Sequence, residues 1–141
     1  MNNSDFNLEP FKQKVPKPWG YEVIFTPPGL AYTSKLLVIN AGKKISFQYH
    51  DQKIETMILF KGKALIWLED KNAQIQKISM ELNKGYTVAV GQKHRLEAIE
   101  ESWIIEGSLP ETGTTFRLED DYARPNETED LRQDSNRGWG A

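Results

Sequence analysis

Between Tyr21 and Ser108 apolar residues recur in runs of five to nine, broken by short clusters of glycine, proline, asparagine and charged residues. The pattern predicts strands at Tyr21–Thr26, Tyr32–Asn40, Ile45–Tyr49, Thr56–Phe60, Ala64–Glu69, Ile75–Glu81, Tyr86–Val90, His94–Ala98 and Trp103–Ser108. Turn signals separate them, among them Pro27-Pro28-Gly29, Lys61-Gly62-Lys63, Asn83-Lys84-Gly85 and Gly91-Gln92-Lys93. Short strands at such spacing indicate an all-β sandwich or barrel. No helix-length periodic segment competes; only Glu127–Arg132 has room for a turn or two.

The flanks differ in composition. Residues 1–18 are polar and end in Val15-Pro16-Lys17-Pro18. Proline has no N–H to give to a ladder, so this stretch reads as an N-terminal arm leading into a domain at residues 19–124. Residues 125–141 are almost all polar and read as a loosely held C-terminal tail. Two strands are apolar on both faces: Met57 and Leu59 alternate with Ile58 and Phe60, and Leu65 and Trp67 with Ile66 and Leu68. A half-solvated strand would show one polar face. The second apolar face predicts a covering partner, in a chain this short a second copy of itself, with Ile58 and Ile66 as candidate contact positions.

Composition narrows the function classes. The 141 residues suffice for one domain with a true core, and 18 basic against 20 acidic residues leave a net charge of −2. A nucleic-acid binder needs a basic stripe, so that class is set aside. With no cysteine, thiolate metal sites and thiol nucleophiles are excluded, and any metal must sit on nitrogen and oxygen. The first fifteen residues lack the apolar run of a secretory signal, and no apolar stretch approaches the ~20 residues that span a bilayer. The expectation is a soluble cytoplasmic protein with no membrane partner.

The two histidines of the chain carry the chemistry. Gln48 and His50 are two apart on a predicted strand and project to one face. Glu55 opens the next strand, and His94 follows the turn at Gly91. Two imidazoles, a carboxylate and an amide oxygen form a ligand set suited to one divalent ion, Zn²⁺ first, with Fe²⁺, Mn²⁺ or Ni²⁺ as alternatives. A histidine taken alone is more often a hydrogen-bonded packing residue; the surrounding glycines change that balance. Gly42 stands five intervening residues before Gln48, four separate His50 from Glu55, and six separate Glu55 from Gly62.

This spacing resembles the first cupin motif, Gly–x5–His–x–His–x4–Glu–x6–Gly, with Gln48 in place of the first histidine. Of the second motif only Gly91-Gln92-Lys93-His94 remains; Asn83, Ala89 and Ala98 stand where glycine, proline and asparagine are usual. Lys17-Pro18-Trp19-Gly20-Tyr21-Glu22, Gly42 to Glu55, His94-Arg95-Leu96-Glu97 and the segment Arg117-Leu118-Glu119-Asp120-Asp121-Tyr122-Ala123-Arg124 are similar to the type II phosphomannose isomerase domain, over roughly residues 17–124. The resemblance implies a double-stranded β-helix, or jelly-roll barrel. In that family a glutamine serves as metal ligand beside two histidines and a glutamate, as Gln48 would here. Asp51, Gln52 and Thr56 occupy places where relatives often carry further histidines, which changes the pocket lining.

The same resemblance implies interconversion of mannose 6-phosphate and fructose 6-phosphate through an enediol, with a small sugar phosphate as ligand. Arg117 and Arg124 are the candidates for gripping phosphate and developing charge, since a guanidinium offers paired donors. Lys53 and Arg95 are secondary substrate-binding candidates; alternation sends Arg95 to the face opposite His94 and so towards the surface. Glu97, Asp120 and Asp121 are candidate bases. Trp19 and Tyr21 read as core aromatics. The rival readings are a metal- and sugar-binding module without turnover, and a cupin enzyme acting on another small molecule.

Overall fold

The computed structural model describes residues 3–133. Eleven strands form two antiparallel sheets: β1 Gln13–Lys17, β2 Gly20–Ile24, β3 Thr33–Ile39, β4 Phe47–His50, β5 Glu55–Lys61, β6 Ala64–Glu69, β7 Ile75–Ser79, β8 Gly85–Val88, β9 His94–Ala98, β10 Ser102–Ser108 and β11 Thr115–Glu119. One sheet runs β1-β2-β3-β10-β5-β8 and the other β11-β4-β9-β6-β7. Together they make a jelly-roll barrel, as the strand pattern and the resemblance imply.

Nine strands follow the predicted positions to within a few residues, and two were unforeseen. Gln13–Lys17, expected in an unpaired arm, pairs with β2 along its whole length, with Pro16 opposite Tyr21. It is an edge strand, where a missing N–H costs least. Thr115–Glu119 pairs with β4 through a register shift between Arg117 and Glu119. The expected loose tail also begins ordered: Glu127 exchanges backbone hydrogen bonds with Thr115 at 2.8 and 3.0 Å. Residues 134–141 of that tail lie outside the described residues.

Inward positions change character along the strands. At one end the barrel is filled by Ile39, Leu59, Ile66, Leu96 and Ile104, all at most 1% exposed. Two or four residues further along the same faces, apolar gives way to charge: Leu37 to Lys35 on β3, Ile104 to Glu106 on β10, Met57 to Glu55 on β5, Leu96 to His94 on β9. Cross-strand register keeps Ile104 level with Leu37 and Leu59 and Glu106 level with Lys35, whereas on β5 Met57 stands opposite Glu106 and Glu55 lies one inward step further along. The apolar floor supplies the folding energy, and the polar layer above it is where chemistry can sit.

The structure also assigns the two apolar faces. Ile66 is fully buried in the core, so a charge there breaks the barrel and reports nothing about partners. Ile58 is half-buried on the outer face, in register with Ile105, which pairs with Leu36, itself opposite Val23. An apolar row thus crosses the outside of four strands.

Candidate metal centre

His50 ends β4 and His94 opens β9; the sheet brings these strands together with Gln48 opposite His94. The Gly91 N–H donates to the His50 carbonyl at 2.8 Å, which fixes the turn before His94 against the end of β4. Glu55 arrives from the facing sheet. Its Oε1 lies 3.3 Å from His50 Nε2 and 3.0 Å from His94 Nε2, and the ring centroids are 5.0 Å apart. One ligand atom from each of the three falls within 4.8 Å of the others, and all three residues are buried.

The other ring nitrogens are occupied. His50 Nδ1 is 2.8 Å from Thr115 Oγ1, and His94 Nδ1 is 3.0 Å from the Gln92 carbonyl oxygen. Such outer contacts orient a ligating imidazole and leave Nε2 for the ion. His94 Nε2, though close to Glu55, makes no well-directed hydrogen bond, and neither does Glu55 Oε2. Two imidazole nitrogens and a carboxylate converge within 4.8 Å in a buried place, and nitrogen and oxygen donors of this kind fit a divalent ion. Gln48 lines the same cavity, and its Oε1 accepts from the Ser46 hydroxyl, leaving a second lone pair.

Charge states suit a metal at neutral pH. Burial lowers His50 to about 4, against the raising effect of its hydrogen bond to Glu55, so its imidazole is neutral. Burial would raise Glu55, but Lys53 and the two histidines outweigh it and hold the carboxyl well below the usual range. Lys53 resists the lowering effect of burial because Glu106 and Glu55 flank it, at 3.6 and 3.2 Å, and it stays charged. Glu106 is pushed up to about 7 by burial and by the charge of Glu55.

Around the ligands the cavity is lined by five cations, Lys17, Lys35, Lys53, Arg117 and Arg124, and five carboxylates, Glu22, Glu55, Glu106, Glu111 and Glu127. Sequence reasoning found Lys53, Arg117 and Arg124 but missed Lys17, Glu22, Lys35, Glu106, Glu111 and Glu127. For Lys35 and Glu106 the available signal was a charge at the inward phase of a strand otherwise apolar on that face. Arg117 sits on β11 two residues after Thr115; it bonds Glu127 Oε2 at 3.0 Å and the Pro125 carbonyl at 2.6 Å, while its Nε is buried without a hydrogen bond. Burial and neighbouring Arg124 lower its pKa, as expected where cations crowd. Arg124 is turned back by a tight bend, Ala123 N to Asp120 O at 3.1 Å with Ala123 at φ 54°, and grips both oxygens of Asp120 at 2.9 and 3.1 Å.

Other expected residues lie elsewhere. Arg95 does point away from His94, as alternation requires, but it is not at the surface: it is fully buried outside the cavity. Its Nε donates to the Ile45 carbonyl at 2.7 Å and its Nη2 to Asp121 at 3.0 Å, so it clamps the 117–124 segment onto the sheet. That occupation removes both Arg95 and Asp121 from the metal's surroundings. Glu97 accepts from Trp67 Nε1 at 3.1 Å on the same outer side. Trp19 is a core residue, 4% exposed, whose ring also borders the cavity.

Comparison with known proteins agrees with this architecture. The family model described as mannose-6-phosphate isomerase C-terminal matches residues 4–125. No curated protein matches the chain significantly. Among solved structures, the capsular polysaccharide assembling protein CapF from Staphylococcus aureus aligns over 89% of this chain and 34% of its own, with 16% identity and a TM-score of 0.55. Oxalate decarboxylase from Bacillus subtilis aligns over 84% of this chain and 31% of its own, at 16% identity and a TM-score of 0.63. KdgF from Halomonas sp. aligns over 77% of this chain and 92% of its own, at 15% identity and a TM-score of 0.58. The chain thus spans about a third of the length of CapF and oxalate decarboxylase. Identities this low speak to the fold alone. Among the described residues no helix is long and apolar enough to cross a membrane.

Proposed function

Because the chain belongs to the mannose-6-phosphate isomerase C-terminal family, we propose that it is a metal-dependent sugar-phosphate isomerase interconverting mannose 6-phosphate and fructose 6-phosphate. The observation that carries the reading is the placement of Lys53, Arg117 and Arg124 around the cavity that holds His50 and Glu55. A divalent ion held by Gln48, His50, Glu55 and His94, Zn²⁺ first among the candidates, would supply Lewis-acid stabilisation of charge on the C1 and C2 oxygens. Arg117 and Arg124 bind the phosphate, and Lys53 adds a fixed positive charge beside Glu55. Proton transfer at carbon falls to a carboxylate of the cavity. Glu106, facing Lys53, is better placed than Glu97 or Asp121 outside it.

Turnover of mannose 6-phosphate by purified, metal-loaded protein, coupled to detection of fructose 6-phosphate, tests the reading; binding without turnover would move it to a sugar-binding module. The cavity itself offers about 60 Å³, below the ~300–1,000 Å³ of ordinary small-molecule sites, and this bears equally on both readings. Within the isomerase reading, Arg117→Ala is expected to lower kcat/KM roughly tenfold to a hundredfold, since a charged hydrogen bond contributes about 1.5–3 kcal/mol. A fall in kcat marks contacts made in the transition state, and a rise in KM marks simple phosphate holding. Arg124→Ala should act in the same direction but also strands the buried Asp120, so Arg117 is the cleaner probe.

The reading includes a homodimer formed through the outer row Val23, Leu36, Ile105 and Ile58. Ile58→Asp is expected to shift it to monomer at micromolar concentration by light scattering while leaving the circular dichroism spectrum unchanged. A wild-type monomer would remove this part. Sugar phosphates are charged and retained within cells, so the same reading places the protein in the cytoplasm.

A further inference from the structure

Glu55 presents its two oxygens to different neighbours. Oε1 faces the histidines, 3.3 Å from His50 Nε2 and 3.0 Å from His94 Nε2. Oε2 faces the Lys53 ammonium at 3.2 Å. On its other side Lys53 lies 3.6 Å from Glu106 Oε2, so it stands between two carboxylates. All three side chains are buried.

The chain builds this contact locally. Lys53 and Glu55 are two apart and both turn inward, while Ile54 between them is exposed. The Leu109 N–H donates to the Ile54 carbonyl at 3.2 Å, which seats the segment before β5 against the end of β10, the strand that carries Glu106. With a carboxylate on either side, the charge of Lys53 is matched within the protein, and its effect falls on Glu55. A carboxylate can hold a cation through one oxygen or through both. A partner on the outer oxygen fixes the carboxylate's orientation.

We propose that Lys53 is a positioning residue that holds Glu55 to coordination through one oxygen, so that the divalent ion keeps a position open for an oxygen atom of the ligand. Without the ammonium, Oε2 can turn to the ion and fill that position. The inference rests on the four-residue metal centre of the proposed function and on no other part of it.

Water-proton relaxation of the Mn²⁺-loaded protein counts exchanging waters on the ion and needs no substrate. Mn²⁺ favours octahedral coordination, so four protein atoms leave roughly two waters on the wild type. Lys53→Met alone would leave Glu55 and Glu106 buried without the charge between them, so Lys53→Met/Glu106→Gln is the sound probe. This double variant should bind Mn²⁺ more tightly and carry about one water fewer. Glu106→Gln alone, which keeps the ammonium, should carry the wild-type number. An unchanged count in the double variant, or a loss already present in Glu106→Gln, would overturn the role of Lys53. Absence of Mn²⁺ binding by the wild type would instead bring down the metal centre beneath it.

Discussion

Replacing His50 with alanine is expected to lower the affinity for a divalent ion at least about a hundredfold. A four-ligand zinc site is worth roughly 10–16 kcal/mol, so a quarter of it corresponds to about two orders of magnitude in affinity. His50 also connects the ion to the fold, because its Nδ1 meets Thr115 Oγ1 on β11 at 2.8 Å. Removing the ring therefore costs both a ligand and a tie between β4 and β11. Thr115→Val should reproduce part of the loss, on the order of tenfold, since it disturbs only the orientation of the imidazole. Competition with a chromophoric chelator reads both changes. A His50→Ala protein that is folded and binds metal as wild type does would place the site elsewhere.

A second large effect is expected in stability. Gly62→Ala should destabilise the barrel by about 4 kcal/mol or more. Gly62 turns the chain between β5 and β6 at φ 99°, a conformation that costs any side-chain-bearing residue. A Cβ there would stand 2.2 Å from the Glu101 carbonyl oxygen and 2.8 Å from the Ser102 Cα. Both are backbone atoms of the segment entering the central strand β10, so relief requires moving the sheet. Gly42→Ala serves as the comparison, since φ is 78° there but no atom stands within 4 Å of the added carbon; its cost should be the smaller, conformational one. Denaturant midpoints at constant m-value measure the difference. Equal midpoints for the two variants would mean that the close approach at Gly62 is not tight in solution.

These two glycines show what was legible in the sequence. Gly42 and Gly62 bracket the Gln48, His50 and Glu55 spacing, and turn chemistry is local, so the β-rich class and most strand positions could be read directly. The convergence of His50, Glu55 and His94 was readable only through the spacing that resembles the first cupin motif, since parity speaks for Gln48 and His50 on one strand and not for residues of three different strands. Arg95 shows the limit of parity. Alternation gave its direction correctly, but burial depended on the return of Asp121 and Glu119 over the outer face, a long-range event with no local signal. Pro16 misled for a related reason: proline is excluded from a central strand, yet β1 is an edge. The ionic layer of Lys35, Glu22 and Glu106 escaped because a charge within a strand is ordinarily a solvated one. Only the closed barrel turns these positions inward.

The most direct test of the metal centre is the anomalous difference density of crystals grown with Zn²⁺ or Mn²⁺ and measured at the metal's absorption edge. One strong peak per chain is expected between His50 Nε2, His94 Nε2 and the Glu55 carboxylate, with the Gln48 side-chain oxygen within ~2.5 Å of it. No peak between these residues, or a peak coordinated by other side chains alone, would contradict the assignment.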